Sequence, residues 1–233
     1  MGWIKDISKQ PQRIKYSQNG EEYLLKYIFD NIGTTNEYFV DIGAWDGTHL
    51  SNTRLFRELG WLGLLIDGKE FAGVYNSFIT RENILETLQV LNTPIEFDLL
   101  AIDIDGNDYW ILKEVLSKHK PRVIVSEFNS EHPLEQSKTI EYDPKFTFDN
   151  FSDYYGYTYG AGEKLAKEFG YTIIYQQSNM FQIAAALIPV AAAYVYNKRH
   201  NLSSKLPLIM LILGSLIILS QILDDLSIFP TFH

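Results

Sequence analysis

The sequence contains no cysteine. Disulfide frameworks, thiolate zinc sites and a cysteine nucleophile are therefore excluded, and the composition suits a reducing compartment. Basic residues are scarce: 20 Lys and Arg stand against 29 Asp and Glu, a formal charge of −9 at pH 7. The deficit is uneven, because residues 181–233 hold Lys198, Arg199 and Lys205 against Asp224 and Asp225, which leaves −10 on the first 180 residues. Nothing in such a chain can follow a phosphate backbone, and no nucleic-acid partner is expected. No secretory leader is expected, since MGWIKDIS shows no basic stretch followed by an apolar one, and no myristoylation, since Asp6 stands where its signal needs Ser or Thr. At 233 residues the chain is long enough for one ordinary domain and an appendage.

The most informative stretch is Phe39–Trp61, FVDIGAWDGTHLSNTRLFRELGW. Its apolar start predicts a strand, Gly43-Ala44-Trp45-Asp46-Gly47 a turn, and Leu55, Phe56 and Leu59 one face of a helix that Ser51 would cap. Glycines in such a turn let backbone N–H groups approach a ligand, and the helix N-terminus behind them adds partial positive charge. The same turn would also serve simply to reverse the chain. A second apolar run, Leu62–Ile66, stops at Asp67, where a carboxylate can accept hydrogen bonds from a ribose diol.

Before this stretch, Glu21–Asn31 reads as a helix with Leu24, Leu25, Ile28 and Phe29 inward and Gly33 as its stop, covering the sheet edge. After Asp67 only GKEFAGVYNS precedes Phe78, the next expected strand residue. That is too little for the usual crossover helix between parallel strands. A helix is expected over Thr80–Leu91, a strand covered on both faces over Phe97–Ile102, a helix over Tyr109–Ser117, and a strand through Val123–Val125 ending at Ser126-Glu127. Asn129–Tyr159 forms a long polar and aromatic connection, in which Tyr154, Tyr155, Tyr157 and Tyr159 either line a groove or pack on the sheet. A helix over Glu163–Phe169, stopped by Gly170, and a strand over Tyr171–Tyr175 complete the pattern. The alternation predicts an α/β fold with a doubly wound, mostly parallel, Rossmann-like sheet over residues 1–180.

Four motifs stand in register: Tyr16-Ser17-Gln18-Asn19-Gly20-Glu21-Glu22, the glycine turn, IDIDGNDYW at Ile102–Trp110, and PRVIVSEFN at Pro121–Asn129. In this order the chain resembles, from about Tyr16 to about Gln177, the FkbM-like family of S-adenosylmethionine-dependent methyltransferases. The resemblance implies a class I methyltransferase-like sheet, here short of the helix between strands two and three. It also implies S-adenosylmethionine as cofactor, with Asp41, Gly43, Asp46, Gly47 and Asp67 holding it: the glycines at its methionine part and Asp67 at its ribose.

Carboxylates at strand C-termini sit at the mouth of an open α/β sheet. Asp103, Asp105 and Asp108 therefore gather beside the glycine turn. Methyl transfer to a hydroxyl needs the acceptor oxygen held in line and its proton removed, and an Asp raised in pKa by burial and like-charged neighbours can be that base. Asp103 and Asp105 are the candidates. Asp103, Asp105, Asn107 and Glu114 also occupy positions 1, 3, 5 and 12 of a calcium-loop pattern, but Asp108 stands where that loop needs Gly, and no metal centre is expected from it. A lone divalent ion on the cluster stays open, as does simple helix capping by Asn107 or Asp108. Glu127 faces the same mouth without an assigned role.

Beyond Gln177 the composition changes. Phe181–Tyr196 is apolar but holds Gln182 and Pro189, whereas Leu206–Leu223 is an 18-residue apolar run and a transmembrane candidate. Between them, Lys198, Arg199 and Lys205 are the tail's basic residues. If only the second run crosses, these stay with the domain in the cytoplasm and Asp224 and Asp225 exit, in agreement with the positive-inside rule. The expected form is a single-pass tail anchor over residues 181–233 with the N-terminal domain cytoplasmic, the first run lying in the interface or packing as a helix. A hairpin of both runs stays open. The function expected is a membrane-anchored methyltransferase acting on a hydroxyl of a glycan, lipid or small molecule. The alternative is a methyltransferase-like scaffold in a membrane complex or an enveloped particle.

Overall fold

A computed structural model describes residues 2–11, 13–148, 152–176 and 183–186. The chain opens with helix α1 (Gly2–Asp6), a 3-10 turn (Ile7–Lys9) and α2 (Glu21–Ile32). Then come β1 (Tyr38–Ile42), α3 (Arg54–Glu58), β2 (Leu62–Asp67), β3 (Tyr75–Asn76), α4 (Ile84–Val90) and β4 (Glu96–Ile102). The series ends with α5 (Asp108–Lys118), β5 (Lys120–Ser126), α6 (Tyr159–Glu168) and β6 (Ile183–Ala186). The strands form one sheet in the order β3-β2-β1-β4-β5-β6. The first five run parallel and β6 pairs antiparallel with β5. This is an α/β, Rossmann-like sheet with flanking helices, and the chain reverses its direction of winding between β1 and β4.

Side chains alternate across the sheet with the two-residue period of a strand. Val40, Ile42, Ile66, Leu100, Ile102 and Ile124 face a core completed by α4, α5 and α6. Phe39, Leu65, Leu99, Ala101, Val123 and Val125 face the other core, completed by α2, Phe56 and Trp61. Helix α2 therefore covers the face of the sheet rather than its edge, with Leu24, Leu25, Ile28 and Phe29 buried as expected and Gly33 in a left-handed conformation at its end.

At the N-terminal end of the strands the sheet is tied to α2 by one buried ion pair. The Asp98 carboxylate accepts the N–H groups of Thr35, Asn36 and Glu37 at 2.8–3.0 Å and the Arg122 guanidinium at 2.6 Å. Arg122 also donates to the carbonyls of Ile32 and Gly33, which α2 leaves open at its C-terminus.

Several elements differ from expectation for local reasons. Helix α3 is one turn long and starts at Arg54, and Leu59 is exposed because the helix has ended there. Helix α4 starts at Ile84 rather than Thr80, because the Asn83 side chain accepts the Thr80 N–H and donates to the Phe78 carbonyl, holding residues 80–83 as a turn. The third strand is Tyr75–Asn76, ahead of Phe78, and the seven residues from Gly68 to Val74, all described, form no helix. Tyr171–Tyr175 is not a strand: Tyr171 and Ile173 enter one core while Ile174 and Tyr175 reach the other. The sixth strand comes instead from Ile183–Ala186, inside the first apolar run of the expected tail, so that part of the run is neither interfacial nor helical. Among the described residues no helix is long and apolar enough to cross a membrane, and the Leu206–Leu223 candidate lies outside them.

Replacing Asp98 with Ala leaves a buried guanidinium and three backbone N–H groups without their acceptor. Asp98→Ala is expected to cost about 3–5 kcal/mol of stability, measured by urea unfolding, and a loss under about 1 kcal/mol would show that the pair is not the anchor described.

Candidate active site cleft

A cleft of about 650 Å³ opens at the C-terminal ends of β1, β2 and β4. This is the crevice at the switch point where open α/β sheets hold ligands. Its floor is acidic: Asp41, Asp67, Asp103 and Asp105 line it together with Gly43. Asp46 and Gly47 are not among the described residues that line it.

The turn after β1 is built around contact with β4. Gly43 has φ +84, and a Cβ there would lie 1.6 Å from the Asp103 carbonyl oxygen. No side chain fits, so this glycine is required by the fold itself. Four of the turn's five N–H groups are also committed internally, which leaves little of an open cradle. Gly43 and Ala44 both donate to the Ile66 carbonyl, Trp45 donates to Asp67 Oδ2 at 2.8 Å, and Gly47 donates to the Ala44 carbonyl. Helix α3 begins only at Arg54, and Leu50, Ser51 and Asn52 ahead of it line the cleft. Ser51 Oγ accepts the Arg54 N–H at 3.1 Å, as a cap does.

Each acidic residue has a distinct setting. Asp46 closes its own turn, accepting the N–H groups of Thr48 and His49 and pairing with the His49 ring at 2.6 Å, and these bonds pull its carboxyl down to about 2. Asp41 is buried and accepts the Thr53 hydroxyl at 2.6 Å; burial pushes it up to about 6 against the pull of Thr53 and Arg57. Asp67 accepts Trp45 N–H on one oxygen and Lys69 N–H on the other, which leaves lone pairs on both for a ligand. Asp105 sits in a left-handed conformation at the cleft lip, where partial loss of solvent raises its carboxyl against the pull of Lys69.

Asp108 is buried at the start of α5 and accepts the N–H groups of Ile104 and Gly106 at 2.9 and 2.8 Å. Its carboxylate thus holds the Asp103–Gly106 turn in shape, and burial pushes it up to about 6. Neither Asn107 nor Asp108 caps α5 through its side chain in the usual sense; Asn107 donates to the Asp143 carbonyl instead. Glu127, at the end of β5, is raised well above the carboxylate range by burial and by Asp103, Asp108 and Asp105, with a hydrogen bond to Asp103 acting in the same direction. Glu114 lies elsewhere, 3.7 Å from Arg81, so the calcium-loop pattern is not assembled.

Other cleft residues escaped the reading of the sequence. Gln18 arrives through the Tyr16–Glu22 motif, because Glu22 accepts the N–H groups of Lys15 and Tyr16 and the Ser17 hydroxyl, fixing that loop beside the cleft. Asn52 lines the cleft with a buried Oδ1 that has no partner. Phe78 and Ile79 form the wall beside Asp67, and Phe146 closes over Gly106, where a Cβ would lie 2.4 Å from its ring. The four tyrosines of the long connection, all described, do not line the cleft. Tyr157 is buried in the core on the sheet and donates to Ser126 at 2.9 Å, Tyr159 packs against the same core, Tyr155 is buried against Phe148, and Tyr154 is exposed.

The profile of a family described as "Domain of unknown function (DUF3601)" matches residues 125–207. The match starts within β5, takes in Glu127, the long connection and α6, and runs on into the tail. No curated protein matches the chain.

Asp41 binds its proton more tightly folded than unfolded, because its carboxyl rises from 3.8 to about 6 on burial. Its contribution to stability is therefore present below about pH 4 and lost as pH rises to about 6. In Asp41→Asn, which can still accept the Thr53 hydroxyl, that decline, up to about 3 kcal/mol, should vanish. Urea unfolding at pH 4.5 and pH 7 compares the two slopes; equal slopes would refute the buried, proton-binding state.

Proposed function

We propose that the chain is an S-adenosylmethionine-dependent methyltransferase acting on a hydroxyl of a glycan, lipid or small molecule, anchored to a membrane through its tail. The single observation that carries this reading is the acidic floor of the switch-point cleft, with Asp67 at the end of β2 and apolar Phe78 and Ile79 beside it. A phosphate-bearing cofactor would meet carboxylates and committed N–H groups there. A cationic nucleoside without phosphate meets charge of the opposite sign, a carboxylate for its ribose hydroxyls and an apolar wall for its base.

Asp67 would hold the ribose, Phe78 and Ile79 the base, and Gln18 and the edge of the Gly43 turn the methionine part. S-adenosylmethionine, when bound, supplies an electrophilic methyl group. The chain's own part is to hold the acceptor oxygen and take its proton. Asp105, raised by partial burial and open to the cleft, suits the proton acceptor, and Asp103 suits a positioning role beside it.

A scaffold without catalysis is the second reading, favoured by the missing helix between β2 and β3, where methyltransferases of the resembling family build part of the adenine wall. Isothermal titration of the detergent-solubilised full chain with S-adenosylmethionine separates the two. Binding is expected, and Asp67→Ala should weaken it about 10–100-fold, the worth of charge-assisted hydrogen bonds to the ribose. A protein that keeps its near-UV circular dichroism but takes up no cofactor at millimolar concentration would leave only the scaffold. Gly43→Val is no test of binding, since the backbone contact with Asp103 forbids the side chain whether or not a ligand is present.

A further inference from the structure

We propose that Asp103, Asp105 and Glu127 form a binding site for one divalent cation at the floor of the cleft. Asp103 and Asp105 come from the turn after β4 and Glu127 from the end of β5, and one carboxylate oxygen of each lies within 4.8 Å of the others. Three like charges at this spacing repel one another, with Glu127 buried, Asp103 half-buried and Asp105 exposed at the lip.

Two further atoms point to a ligand. Glu127 Oε2 and Asn107 Oδ1 are buried without a hydrogen-bond partner, on residues only 3% and 6% exposed. Asn107 lines the same cleft as Asp103 and Asp105. Buried oxygens of this kind are rarely left unpaired, and a cation at the cluster would satisfy that of Glu127. The charged groups acting on Glu127 are Asp103, Asp108 and Asp105, all of one sign.

The donor set selects the ion. Carboxylate and amide oxygens without histidine or thiolate suit Ca²⁺ or Mg²⁺. Oxygens around one Ca²⁺, bound at about 2.3–2.6 Å, lie up to about 5 Å apart, whereas around Mg²⁺ they lie within about 4 Å. Ca²⁺, whose shell is larger and less rigid than that of Mg²⁺, is the better match to carboxylates brought together by separate loops. Three carboxylates that each give one oxygen leave about half or more of a six- to eight-fold shell open, where water or adjacent hydroxyls of a polyol would complete it.

None of the three carboxylates is assigned to the cofactor, although Asp103 and Asp105 are the ones the methyltransferase reading places at the acceptor, so cation binding is measured without nucleoside to be read apart from cofactor binding. Titration of Ca²⁺ into the full chain in detergent, with no nucleoside present, should show one saturable site with a Kd of about 1 mM or tighter. Glu127→Gln and Asp103→Asn should each weaken it at least about tenfold. Glu168→Gln, an exposed carboxylate paired with Lys113, should leave it unchanged. Removing one charge from an acidic cluster relieves repulsion, so the Glu127→Gln protein should fold, and Ca²⁺ should raise the Tm of the wild type but not of this variant. No saturable binding up to about 10 mM, or equal binding in the wild type and both cluster variants, would overturn the site.

Discussion

The contact on which the cleft depends is between two pieces of backbone. β1 and β4 lie side by side at the point where the winding reverses, and Gly43 at the end of one touches the carbonyl of Asp103 at the end of the other. Because Asp103 N–H also donates to the Ile42 carbonyl at 2.9 Å, the ladder continues past the last strand residue and holds the two exits together. Asp41 and Asp103 are thereby brought to one floor, and Asp67 joins them from β2. A side chain at Gly43 would wedge the strand ends apart and dissolve the site without touching any of its carboxylates.

That arrangement concentrates negative charge that the rest of the domain must hold in place. Arg57 and Lys69 are the cations that act on Asp41 and Asp105, and Arg57 also donates to the Gly47 carbonyl. Asp108 and Glu127 hold their protons more tightly, first because they are buried and then because like charges stand beside them. The compensating stability comes from the two packed faces of the sheet and from the Asp98–Arg122 pair at its opposite end. Structure is secured at the N-terminal ends of the strands and electrostatic tension is stored at the C-terminal ends, the division expected of a sheet that receives ligands on one side only.

Much of this was legible in the sequence wherever burial imposes a period. The strands β1, β2, β4 and β5, the helices α2 and α5, and the missing helix after Asp67 follow from runs of apolar residues and from chain length. Asp41, Gly43, Asp67, Asp103 and Asp105 do line one cleft, because strand ends in a parallel sheet converge. What pattern could not reveal was how single polar side chains spend their hydrogen bonds. Asn83 delays α4, Asp46 closes its own turn, and Ile66 and Asp67 consume the N–H groups that an open cradle would need. Gln18 and Asn52 reach the cleft through loops, where no period exists to mark them. The strand β6 was hidden for a different reason, since an alanine-rich apolar run has the same composition whether it pairs with a sheet or enters a membrane.

The short connection after β2 also decides the chemical character of the cleft's rim. Without a helix over Gly68–Val74, the chain turns straight into β3, and Phe78 is left 53% exposed against Gly68. Trp45 and Leu50 stand exposed on the glycine-turn side, so three large apolar side chains surround a floor of carboxylates. Exposed apolar surface gathered at a concave site marks a place where a ligand removes it from water. A molecule that answers both parts of the cleft carries cationic or hydroxyl-bearing groups at one end and an aromatic or aliphatic surface at the other. The absent helix thus widens the range of ligands that the rim can cover, and the carboxylates beneath restrict what those ligands must present.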